Sequence, residues 1–280
     1  MTELGANRYG KQAIRVVKVV RGRDHRVRDL TVGIVLEGDF AAAHVSGDNT
    51  NVVATDTMKN TVYALAKDGL TGAIEDFGRA IAGKLVAYDQ TESATVTIRE
   101  HGWRRLTGPG GPAPDAFRRA GDWTRMAVVR VDQTGTTIDS GVEDLVVLKT
   151  GKSAFSGFPR DELTTLPETR DRLLSTRVTA SWRHGATPSD WDASHATLLR
   201  VLLETYADHE SESVQHSIFL MARAMLAADP EITEVRMMLP NIHHWLVDLA
   251  PFGLENPGEV FVATSEPYGL IEATVRRGEA

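Results

Sequence analysis

Residues 71–99 read TGAIEDFGRAIAGKLVAYDQTESATVTIR, and the apolar period changes once within them. Over 71–86, Ile74, Phe77, Ile81 and Leu85 recur every three to four residues, which places them on one face of a helix. Further on, Ala94, Val96 and Ile98 alternate with Thr95, Thr97 and Arg99, the period of a strand with one buried face. Upstream, 57–67 reads as a second helix. Before it, 14–21 and 27–37 read as a hairpin across the polar turn Gly22-Arg23-Asp24-His25. Downstream, a loop containing Gly108-Pro109-Gly110-Gly111-Pro112 leads to a strand at 126–132. The order is strand, strand, helix, helix, strand, strand.

The second half repeats that order without repeating the residues. Strands are expected at 138–149 and 176–182, helices at 193–208 and 214–228, and strands at 233–239 and 243–249. Leu198, Leu199, Leu202 and Leu203 make an apolar face on the first of these helices. Antiparallel strands covered on one face by helices define an α+β fold, with expected domains at 1–135 and 136–280. Arg15, Lys18, Thr97, Arg99 and Arg130, or their neighbours, fall on the other sheet face, depending on register. Such a polar face either meets solvent or closes with another subunit's sheets into a wet barrel, which also removes exposed edges.

Composition removes several function classes. Of 280 residues, 42% are hydrophobic and 25% charged, the proportions of a globular protein, and the formal net charge is -7. An acidic chain without a basic block is not expected to bind nucleic acid, whose affinity rests on phosphate neutralisation. There is no cysteine, so disulfides, thiolate catalysis and iron–sulfur clusters are excluded. MTELGANRYG lacks an apolar signal core, no apolar run reaches membrane-spanning length, and VRRGEA is not a peroxisomal ending. The expectation is a cytoplasmic protein with no membrane partner.

General motifs do not supply a chemistry. Thr150-Gly151-Lys152-Ser153 resembles the end of a phosphate-binding loop, but the glycine required five positions before Gly151 is Val146. His243 and His244 are adjacent on an expected strand, so their side chains point to opposite faces and cannot share one ion. No metal site is expected.

Six separated segments carry a more specific signal: Asn7-Arg8-Tyr9-Gly10-Lys11, VVATDTMKNTVY at 52–63, LKTGKSAFSGFPRDELTTLPETRDR at 148–172, SVQHSIF at 213–219, LPNIHHW at 239–245 and SEPYGLIEATV at 265–275. In content and order they resemble the urate oxidase (uricase) family, bacterial type. The resemblance implies two tandem T-fold domains, each ββααββ, in a tunnel-shaped homotetramer with sites at subunit interfaces. It also implies oxidation of urate by O2 and water to 5-hydroxyisourate and hydrogen peroxide, with no cofactor and with O2 as co-substrate.

Residue by residue, Phe155 matches the family's stacking phenylalanine and Arg172 the arginine whose planar fork holds an oxygen and a ring nitrogen. Gln215 matches the glutamine that pairs with the purine edge, accompanied by the Val214 amide at a helix start. Thr55 and Asp56 match the pair supplied by a neighbouring subunit, and Lys11 the lysine that activates the threonine. Asn241 resembles the residue that holds oxygen and then water. His243, two residues on and on the same strand face, resembles the third member of a Lys11–Thr55–His243 proton relay.

Each residue also has an ordinary structural reading. Phe155 and Val214 are then core, Arg172 and Gln215 exposed helix residues, Thr55 or Asp56 a helix N-cap, Lys11 a solvated charge and His243 a buried sheet histidine. The alternative function is a purine- or pterin-binding T-fold protein without oxidase activity. It would keep Phe155, Arg172 and Gln215 without needing the relay.

Overall fold

The computed structural model describes residues 2–22 and 25–278, so Arg23 and Asp24 of the expected first turn lie outside it. The chain divides into two compact units. One runs up to Gly141 and includes Ser189–Asp192; the other comprises Val142–Pro188 and the residues from Ala193 onward. Both mix antiparallel strands with a few helices.

In the first unit β1 (Tyr9–Val20) and β2 (Arg26–Gly38) precede α1 (Ala41–Val45), α2 (Thr55–Gly69) and α3 (Ile74–Val86). Then come β3 (Thr91–Glu100), β4 (Trp103–Gly108), β5 (Gly111–Arg119), β6 (Thr124–Asp132) and the start of β7 (Gly135–Lys149). The sheet runs β1-β2-β3-β6, with antiparallel pairing throughout. The opening stretch behaves as its periods require. Ile74, Phe77, Ile81 and Leu85 are buried on α3, and Ala94, Val96 and Ile98 are buried on β3 beneath it. Each large side chain so buried contributes about 1.5–3 kcal/mol. Gly78 lets α3 pack closely on β6 as well, because a Cβ there would lie 2.8 Å from Val129 Cγ2.

Register settles which cations share the outer face. Ile14 and Val16 point to the helices, and Lys18 follows them, donating from Nζ to the Lys67 carbonyl at the end of α2 (2.7 Å). A cation there meets the negative end of the helix dipole. Arg15 points outward to Asp29 and Thr31.

The glycine- and proline-rich stretch at 102–122 is a two-stranded hairpin, β4–β5. Pro112 and Pro114 obscured it, since proline fits only strands with an unpaired edge. Asp29, almost fully buried, ties it to the sheet: Trp103 Nε1 donates to Asp29 Oδ2 (3.0 Å), and Arg119 pairs with the same oxygen (3.2 Å).

In the second unit the rest of β7 is followed by β8 (Leu174–His184), α4 (Trp191–Asp208), α5 (Val214–Ala228), β9 (Ile232–Leu246), β10 (Phe261–Thr264) and β11 (Leu270–Arg276). β9 pairs with β8 along one edge, and with β11 then β10 along the other. α5 packs on β9 and β11, burying Ile218, Met221 and Met225. Leu198, Leu199 and Leu202 of α4 are buried as expected. The two strands expected at 233–239 and 243–249 are one continuous β9. Pro240 ends a run by sequence rules, but here the ladder resumes at once, with Asn241 N donating to Gly269 O (3.0 Å).

Candidate active site

A short extended segment, Ser153–Phe155, organises the second unit's site. Ala154 N donates to Ser211 O (2.7 Å), and Ser211 N donates back to Lys152 O (2.9 Å). On its other side Phe155 and Thr169 exchange both backbone bonds (2.8 and 3.0 Å), and Arg172 N donates to Ser153 O (2.9 Å). Three loops distant in sequence are thereby fixed side by side.

Arg172 leaves this segment so that its guanidinium carbon lies 5.2 Å from the Phe155 ring centroid. The far side of the platform is extended by Phe158, whose ring stacks on Phe155 at 4.9 Å and 15°. Burial pushes the Arg172 pKa down, and no neighbouring carboxylate opposes that shift. Its Nε is buried without a partner, as is Asn241 Oδ1. Buried polar atoms left unpaired are costly, so both call for a ligand or water.

Phe155, Arg172, Asn241 and His243 line one cavity of about 240 Å³, with Thr169 and Ser175 among the other walls. Asn241 and His243 project from the end of β9, two residues apart on one face, and the same alternation puts Trp245 parallel to His243 at 5.4 Å and 24°. Trp245 and Phe158 lie within the quoted segments 239–245 and 148–172, and neither is given a role in the sequence reading. The period of two from Asn241 would have found Trp245, whereas nothing local pointed to Phe158.

Val214 and Gln215 are the first two residues of α5, and neither is among the cavity's lining side chains. Val214 is buried and Gln215 exposed. Ser213 caps the helix, its hydroxyl accepting from His216 N (3.1 Å). The amides of the first turn have no helical carbonyl to bond, which leaves donors at this end.

The remaining residues that the resemblance singles out, Lys11, Thr55 and Asp56, belong to the first unit. Thr55 and Asp56 are not N-caps: Ala54 holds that position, and they open α2. Their amides are again first-turn donors. The Asp56 carboxylate, exposed, takes the Lys59 ammonium (2.5 Å) and the Asn60 amide (2.8 Å). Lys59 lowers its pKa most, and the nearby Lys11 charge acts in the same direction. Lys11 stands opposite Ile34 where β1 shifts register, with Ala13 in the left-handed region at φ 57. A bulge of this kind re-aims the side chains beside it. Close approach is secured at Gly10, where a Cβ would lie 1.9 Å from Ile34 O.

An aromatic plate beside a planar cation, with an amide and an imidazole at the rim, can hold a flat, oxygen-rich anionic heterocycle and move protons at its edge. Among the described residues no three His, Asp or Glu side chains come together as a metal-binding group, and no helix is long and apolar enough to cross a membrane.

Fold and cavity therefore describe an α+β protein with a cavity whose lining suits such a ring. The family model described as Uricase matches residues 7–130 and 138–272. The uricase of Arthrobacter globiformis is 44% identical over 98% of this chain and 90% of its own length. That of Aspergillus flavus is 38% identical over 99% and 98%. The crystal structure of the Arthrobacter globiformis uricase superposes with a TM-score of 0.93 at 43% identity, covering 100% of this chain and 96% of that one. The chain belongs to the uricase family.

Proposed function

We infer that the chain is a urate oxidase, converting urate, O2 and water to 5-hydroxyisourate and hydrogen peroxide. The observation that carries this reading, beside family membership, is the grouping of Phe155, Arg172, Asn241 and His243 on one cavity with two unpaired buried polar atoms. Phe155 stacks on the purine, and Arg172 holds an oxygen and a ring nitrogen through its fork. The α5 start adds the Val214 amide and the Gln215 side chain. Asn241 holds O2 above the ring and later water.

A second copy of the chain supplies Lys11, Thr55 and the Asp56 amide, so the working form is a homotetramer around a tunnel. Each chain contributes tandem T-fold domains at 1–135 and 136–280. The element order supports this: β1β2α2α3β3β6 and β7β8α4α5β9β11 both follow ββααββ. The enzyme works in the cytoplasm.

Lys11, Thr55 and His243 relay a proton away from bound urate, leaving an electron-rich dianion. That dianion passes one electron to O2, and the urate radical and superoxide then join through a new C–O bond at the ring carbon. Protonation releases hydrogen peroxide, and water adds at the vacated carbon with loss of a proton. The electrons come from urate, so no metal or organic cofactor enters the balance. The protein supplies orientation and proton management.

The test is to mix chelator-treated protein with urate in air and follow urate, O2 and peroxide together. Equal consumption of urate and O2 with matching peroxide is expected. Binding without consumption would establish the purine-binding alternative.

A further inference from the structure

Beneath the start of α5 the half-buried His209 joins a pair of buried hydroxyls that the reaction itself does not use. His209 Nδ1 lies 2.7 Å from Thr205 O, and its Nε2 lies 2.8 Å from Ser217 Oγ. A carbonyl only accepts, so Nδ1 carries the proton, and in the neutral ring Nε2 accepts from the Ser217 hydroxyl. Burial pushes the His209 pKa down; the bond to the Thr205 carbonyl opposes the shift, and the Lys149 and His216 charges act with burial.

With the Ser217 proton directed at His209, the Ser211 hydroxyl donates to Ser217 Oγ (2.8 Å); the Ser213 carbonyl oxygen lies 3.0 Å from Ser211 Oγ and 3.2 Å from Ser217 Oγ. Both serines are nearly inaccessible to solvent. Lys149 Nζ donates to the His209 carbonyl, fixing the backbone of the same residue. The turn 209–213 is thus held from inside by the imidazole and two hydroxyls.

That turn has two outlets. Ser211 pairs through its backbone with Lys152 and Ala154, the segment that carries Phe155 and receives Arg172. Ser213 caps α5 directly before Val214 and Gln215. Movement of the turn therefore changes the distance between the aromatic plate and the helix start.

We propose that His209 is a positioning residue for substrate: through Ser217 and Ser211 it holds the α5 donors at a fixed separation from Phe155 and Arg172. The inference rests on the urate oxidase reading and adds a residue outside the cavity to it. Loss of the link loosens the grip on the purine edge without touching the proton relay, so its signature is in binding rather than in turnover.

The experiment compares wild type with His209→Ala, Ser217→Ala, the double variant and His209→Gln, whose side-chain oxygen still accepts from Ser217. KM for urate, kcat and the Kd for xanthine, a purine that carries the same six-membered-ring edge as urate, are measured on folded protein. The expected result is a rise of roughly tenfold in KM and in Kd for both alanine variants, with kcat within about threefold, the size of one lost orienting hydrogen bond. The double variant is no worse than the weaker single, and His209→Gln returns most of the affinity. Wild-type KM and Kd in Ser217→Ala, or a fall in kcat with unchanged KM, would overturn the proposal. A lower Tm with normal KM and Kd would overturn it too, since that is the mark of a structural role alone. If His209→Ala does not fold, Ser217→Ala and His209→Gln decide. Failure of the wild type to consume urate would sink the functional reading itself, a different outcome from any of these.

Discussion

The Arg172 guanidinium sits 5.2 Å from the Phe155 ring centroid, and both residues hang from one short ladder, through Phe155–Thr169 and Arg172–Ser153 backbone bonds. Plate and cation are therefore set by the same few peptide groups. A planar ring resting on Phe155 meets the fork edge-on only if that ladder is intact.

From this relationship, Arg172→Lys keeps the charge but loses the planar pair of donors. Steady-state kinetics is expected to give a loss of about 2 kcal/mol, some thirtyfold in kcat/KM, mostly as a higher KM. An Arg172→Lys enzyme with wild-type KM would remove Arg172 from the binding set.

Lys11 stands at the β1 bulge near Asp56, at the start of α2 beside Thr55. Lys11→Ala and Thr55→Ala are each expected to lower kcat by roughly 10²–10⁴-fold, the range for a lost general acid–base group, while each variant elutes with the wild type on size exclusion. Normal turnover in either variant would discard the relay.

Glu75 is fully buried on α3 and takes Arg125 (3.1 Å) and the Ser140 hydroxyl (2.7 Å). Removing one member strands a buried charge, so Arg125→Met is expected to cost about 3–5 kcal/mol in urea unfolding. The Glu75→Leu/Arg125→Met pair should recover much of that. A single variant as stable as the parent would show that the pair is not charge-coupled.

The Arg130 guanidinium donates to Glu37 (2.9 Å), and Ser93 donates to the same carboxylate (2.9 Å); together they hold its pKa below the ordinary range. Depression in the folded state means the contribution is complete above the unfolded pKa, about 4.3, and is lost as pH falls through the folded value. The carboxylate is more than a third exposed, so screening keeps the gain below about 1 kcal/mol. Urea midpoints of wild type and Glu37→Gln should differ near neutral pH and converge in acid. A gap that widens in acid would contradict the pairing.

Much of the fold was legible because period alone fixes which face of an element is buried. The α3–β3 stretch, the helix at 214–228 and the helix face at Leu198, Leu199 and Leu202 all follow from spacing. The β4–β5 hairpin and the single long β9 did not. Pro112, Pro114 and Pro240 carry a local veto that neighbouring strands override.

For the site, sequence by itself determined the residue types, the same-face relation of Asn241 and His243, and the family to which the whole chain is similar. Only the tertiary structure decided that Phe155, Arg172, Asn241 and His243 meet on one cavity, that Ala54 rather than Thr55 caps α2, and that Lys18 turns to the helix side while Arg15 does not. The division is physical. Periodicity is a property of neighbours along the chain and is written in their order. The cavity depends on backbone hydrogen bonds among 152–155, 169–172 and 211, and each of those peptide groups could have bonded elsewhere. A peptide group is the same in every residue but proline, so no local pattern records its partner.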